Sequence, residues 1–150
     1  MKITQVLILA ALFVFTTTTF ARLGETREQI EKRYGQGTRS DIQRLEGAET
    51  MKYYFNNFQI EVVFHDNKSI WEIFHQGNRI STRDIKMLLK ADAGDGLTWQ
   101  YKGMNHGWER SGSPKYIGYL WPGHEDFFCI EDVKTIEAIQ NSDASETGGF

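Results

Sequence analysis

The chain has 150 residues, 17 of them basic and 20 acidic, for a net charge of −3 at pH 7. Lys and Arg are spread along it without a basic block, which excludes nucleic acid as a partner, because phosphate binding needs clustered cations. The one cysteine, Cys129, excludes an internal disulfide.

Met1-Lys2 leads into an apolar run from Ile3 to Phe15, broken only by Thr4 and Gln5, and then into four threonines and Phe20-Ala21. One positive charge, a short apolar core and a small-x-Ala ending (Thr19, Phe20, Ala21) predict a secretory signal peptide over residues 1–21, cleaved after Ala21. The apolar core falls short of the ~20 residues that span a bilayer. An uncleaved anchor is the alternative, and the only reading that ties the chain to a membrane. No cysteine near the cleavage point can carry a lipid. Residues 22–140 fit one domain, and residues 141–150 read as a disordered tail.

Thr26-Arg27-Glu28-Gln29 is a capping box and predicts a helix that starts there, with Ile30 and Tyr34 on one face. Gly35 and Gly37 are expected to end it in positive φ. Residues 38–50 are polar and read as an exposed loop or a weak second helix. In "MKYYFNNFQIEVVFHDNKSIWEIFHQ", Asn56-Asn57 predicts a type I′ turn pairing Phe55 with Phe58, Tyr53 with Ile60, Lys52 with Glu61 and Met51 with Val62. A second turn at Asp66-Asn67 starts a third strand. A loop of even length there keeps Trp71 and Ile73 on the apolar face of Ile60 and Val62.

Ser81 and Asp84 cap a second helix, stapled by Ile80 and Ile85 and lined by Leu88 and Leu89. Leu97-Trp99-Tyr101, "WERS", "KYIGYLW" and "DFFCI" read as four more strands, and residues 132–139 as a short helix. The fold class is therefore α+β: one or two units of a helix and an antiparallel meander, helices on one sheet face. The candidate repeat units are residues 23–76 and 80–131. Their caps, Thr26 and Ser81, are each followed four residues later by isoleucine, Ile30 and Ile85.

"LGETREQIEKRYGQG" followed by "YYFNNFQIEVVFHDNKSIWEIF" resembles the opening of a group of small exported bacterial proteins whose mature chains begin near A-R-L-G-E-T. More distantly it is similar to the outer-membrane assembly lipoproteins SmpA/OmlA and to the β-lactamase-inhibitor-protein fold. There a G-x-T-x-x-x-(I/V) helix ending at Gly precedes a curved antiparallel sheet. Gly24, Thr26, Ile30 and Gly35 are the matching positions, within residues 23–75. The lipobox cysteine is missing, and Gln36 stands where Pro often follows. The resemblance implies a curved sheet and an exported interaction module.

His65 and His75 are expected on opposite faces and too far apart to share an ion. His106 and His124 lie in loops that can meet, where a cluster with Glu125 and Asp126 would supply a general acid and base or bind a cation. No GxSxG, HExxH, CxxC or phosphate loop is present. Cys129, beside phenylalanines in mid-strand, reads as a buried thiol with a raised pKa. No metal and no cofactor is implied. Aromatic residues concentrate between 99 and 121: Trp99, Tyr101, Trp108, Tyr116, Tyr119 and Trp121. Tyr116 and Tyr119 have opposite parity, so rings fall on both faces and one helix layer cannot bury them all. These six are the candidate binding residues. The expected role is a non-catalytic interaction module of the cell envelope, periplasmic or secreted, whose partner is an envelope protein. The alternatives are a cell-wall polymer stacked on tryptophans, or a small hydrolase built on His106 and His124.

Overall fold

The computed structural model describes residues 22–94, 96–103, 107–112 and 115–147. The predicted signal peptide, His106 and residues 148–150 lie outside that set. The described chain runs α1 (Arg27–Tyr34), β1 (Thr38–Arg39), β2 (Glu49–Phe55), β3 (Phe58–His65), β4 (Lys68–His75), α2 (Thr82–Ala93), β5 (Trp99–Gly103), β6 (Gly107–Arg110), β7 (Tyr116–Trp121), β8 (His124–Asp132) and α3 (Val133–Thr147). All eight strands form one antiparallel sheet in the order β1-β2-β3-β4-β8-β7-β6-β5. This is the expected α+β class. Each half is a capped helix followed by a four-stranded meander, and the last strands of the two meanders, β4 and β8, pair at the centre.

Local chemistry sets the helix starts. The Thr26 hydroxyl accepts the Gln29 N–H and the Gln29 side chain accepts the Thr26 N–H at 2.8 Å. Ser81 accepts the Asp84 N–H at 3.1 Å, while Ile80 and Ile85 are both buried in the core. Gly35 ends α1 with φ of 85°. Gly37, expected in positive φ as well, serves differently: a Cβ there would lie 2.5 Å from the Tyr53 ring. Its hydrogen lets the chain cross that ring.

The β2–β3 register is the one predicted from the sequence, from Met51 opposite Val62 to Phe55 opposite Phe58. Asn56 takes φ of 53° without Asn57 doing so, so the turn departs from type I′; Asp66 and Asn67 both have positive φ, at 49° and 57°. Residues 38–50, expected as loop or helix, supply β1 and the start of β2, because their polar side chains suit a short edge strand with one solvated side.

The largest departure is at β4. Phe64 faces Ser69 but Val63 faces Trp71, so Ile70 is an extra residue in the ladder. One inserted residue inverts every side chain beyond it. Trp71 and Ile73, expected with Ile60 and Val62, instead share the face of Glu61 and Val63, and Glu72 and Phe74 turn into the core. His65 and His75 consequently lie on the same face rather than on opposite ones, but at opposite ends of the hairpin.

The helix-covered face holds the main core: Ile30 and Tyr34 from α1, Ile85, Leu88 and Leu89 from α2, over Tyr53, Ile60, Phe74, Phe128 and Ile130. Among the described residues, the other face is covered at one end, where Ile136 and Ile139 of α3 and Leu45 pack on Val63, Ile70 and Trp71. Asp132 starts α3 by accepting from the Thr135 N–H at 3.2 Å and the Thr135 hydroxyl at 2.9 Å. The helix runs to Thr147, past the expected end at 139 and into the expected tail. The sequence "IEAIQNSDASET" carries no Gly or Pro to stop it.

Candidate functional site

The sheet divides the six candidate rings between its faces. Trp99 and Trp108 are half-buried against the main core, and Trp108 meets Phe128 edge-on at 5.8 Å. Tyr116 is buried, with the Arg110 guanidinium 3.6 Å above its ring. Tyr101 lies against Trp108 at the sheet edge and stays 57% exposed. These four share the helix-covered face. Only Tyr119 and Trp121 reach the other face, through the alternation of β7.

There Trp121 stacks on Trp71, with ring centroids 5.9 Å apart and planes 6° from parallel. Arg44, from the segment before β2, holds Glu61 Oε2 through Nε at 2.8 Å and Nη2 at 2.6 Å, and its guanidinium carbon lies 6.0 Å from the Trp121 ring centre. A hollow of about 220 Å³ opens beside this pair, lined by Arg44, Ile73, Trp121, His124 and Phe127. Ile73 forms its floor, and Trp121 and Phe127 are half-buried. It is below the ~300–1,000 Å³ of a small-molecule site, and suits one large side chain.

Most ionisable groups around the hollow are buried or paired. Burial, and then the Glu131 carboxylate, push the Cys129 thiol up to about 12, so it is no nucleophile near neutral pH. The Tyr119 hydroxyl donates to Glu131 Oε2 at 3.0 Å; burial raises the tyrosine pKa far above its ordinary value and also raises that of Glu131. His75 Nε2 lies 3.0 Å from Asp126 Oδ2, its ring stacked on Phe127 at 4.3 Å. Glu125 instead meets Arg79 at 3.1 Å in solvent, and His124 packs edge-on against Phe127. His124, Glu125 and Asp126 therefore have three separate surroundings. Among the described residues no group of three metal-ligating side chains occurs.

Arg44, Trp71 and Phe127 are site residues that the sequence reading missed. Arg44 lies in a segment that reads as loop, and the bulge puts Trp71 on the face opposite to the expected one. Phe127 carried a usable signal, since it has the parity of Cys129 in β8. No helix among the described residues is long and apolar enough to cross a membrane. No protein family, curated protein or solved structure matches the chain.

Proposed function

We propose that this protein is an exported, non-catalytic interaction module of the cell envelope that holds a partner protein on the sheet face opposite α1 and α2. The observation that carries this reading is the hollow itself: half-buried Trp121 and Phe127 frame it, and Arg44 is fixed at its rim by Glu61. Rings held by stacking lose little entropy on binding, and a pre-placed Arg adds charge-assisted hydrogen bonds. The chemistry fits a large apolar or aromatic side chain of the partner with a carboxylate next to it. Export rests on the leader pattern ending at Ala21, and the resemblance of residues 23–75 to exported proteins points the same way.

The test is a cross-linking pull-down of the tagged chain 22–150 from its own envelope, beside Trp121→Ala and Arg44→Ala. One dominant protein, captured by the parent and lost in both variants, supports the reading. Capture unaffected by either substitution overturns this site. Retention on purified wall polymer, lost in Trp121→Ala, replaces the protein partner with a carbohydrate.

A further inference from the structure

Residues 22–25 form a strap between the two halves of the molecule. Gly24 N–H donates to Ser69 O at 2.7 Å and Ser69 N–H donates to Glu25 O at 2.9 Å. The strap thus occupies the side of β4 that β8 leaves free where it gives way to α3. The Ser69 hydroxyl donates to Arg22 O at 3.1 Å, and Leu23 N–H donates to Asp92 Oδ1 at 3.0 Å. The Arg22 guanidinium reaches Ala91 O at 3.2 Å and lies across Gly94, where a Cβ would come within 2.8 Å of it. A cation at the last carbonyls of α2 is favourable there. Two hydrogen bonds and the packing over Gly94 fix residue 22 before its own nitrogen is considered.

That nitrogen lies 3.2 Å from Glu25 Oε2, a carboxylate already held by Arg33, whose Nη2 is 2.8 Å from Oε1 and whose Nη1 meets Oε2. Glu25 and Arg33 side chains are only 16% and 18% exposed. While Ala21 is attached, the Arg22 nitrogen is a neutral amide giving one ordinary hydrogen bond. Hydrolysis of the 21–22 peptide bond adds water across it, leaving a carboxylate on Ala21 and an ammonium on Arg22.

We propose that, once the leader is cleaved after Ala21, the amino group released on Arg22 is a structural cation of the mature fold, completing a two-cation clamp on Glu25. This rests on the leader reading, not on the partner reading. A charge-assisted hydrogen bond is roughly twice as strong as a neutral one, and the strap has already ordered the residue that makes it. Removal of the leader therefore does more than free the protein, because it tightens the joint between β4 and α2.

The experiment has two parts. The mass and first residue of the protein recovered from the envelope must place its N-terminus at Arg22; any other N-terminus overturns the proposal. Thermal melts then compare chain 22–150 bearing a free amino group with the same chain acetylated, which keeps every other contact. The free form should melt about 2–4 °C higher at pH 6. An amino group paired in the fold has its pKa raised, so the advantage is full below about 8 and fades as pH rises beyond it. Glu25→Gln should remove the difference while leaving a folded protein. Equal melting of the free and acetylated chains, or a difference that survives in Glu25→Gln, overturns the clamp.

Discussion

The two faces of one sheet are built from alternate residues of the same strands, yet they spend their polar groups differently. Beneath the helices, polar groups are sealed in. Glu72 is fully buried with neither carboxylate oxygen hydrogen-bonded, and Asp92 is buried against Arg110 at 2.9 Å. On the opposite face each carboxylate has a partner: buried Glu61 pairs with Arg44, and half-buried Glu131 and Asp126 with Tyr119 and His75. Burial pushes Glu72, Asp92 and Glu131 alike toward their neutral forms, and the faces differ in that Glu72 has no hydrogen-bond partner while each of the three carboxyls on the open face has one. The first face is thus suited to holding the fold and the second to contact.

Substitutions should separate the faces by size of effect. Arg110→Ala strands Asp92 in the core and should cost about 3–5 kcal/mol in urea unfolding. Arg44→Ala leaves Glu61 unpaired beneath a side chain that is itself 22% exposed, so water can take its place, and should cost about 2 kcal/mol by the same measurement. If the two costs are equal, the contrast between the faces fails.

Glu72→Gln tests the contrast through pH. Burial, with the nearby Asp92 and Glu25 charges adding to it, holds the Glu72 carboxyl well above its ordinary range, so the folded state keeps a proton that the unfolded chain releases. The parent should lose stability as pH rises from about 4.3, by up to about 1.4 kcal/mol per unit, until the folded carboxyl itself ionises. Gln cannot titrate, so the variant should gain on the parent through that window. Chemical denaturation from pH 4 to 8 reads the slope.

On the open face, Trp121→Ala removes the stack on Trp71 and should cost about 1 kcal/mol of stability, while abolishing partner capture. At the small end, Arg79→Ala breaks an ion pair with both side chains more than half exposed. Its midpoint should move by less than about 0.5 kcal/mol.

The sequence disclosed features governed by neighbours in the chain. Thr26 and Gln29, Ser81 and Asp84, and the pairing of Tyr53 with Ile60 follow from spacing and alternation alone. What it hid was set by distant contacts. The extra residue at Ile70 follows no local pattern; beside it, the bonds of Ser69 go to residues 24 and 25, which no periodicity in β4 reveals. That one residue decided that Glu72 entered the core and that Trp71 joined the site. The aromatic density of 99–121 was visible, but its division between faces required the strand register, and Arg44 became legible only once Glu61 was seen opposite it.

The mirrored strand order has a consequence for how the molecule assembles. Six of the seven strand pairings join consecutive strands; the exception is β4 with β8, where Ile73 meets Cys129. Each meander can therefore zip through local connections, the longest of them residues 40–48, and only the seam must await a distant partner. Phe74 and Phe128 sit side by side in that seam, on the core face. The slow step of folding should be the meeting of two nearly finished halves, and truncating either phenylalanine should be felt in the folding rate.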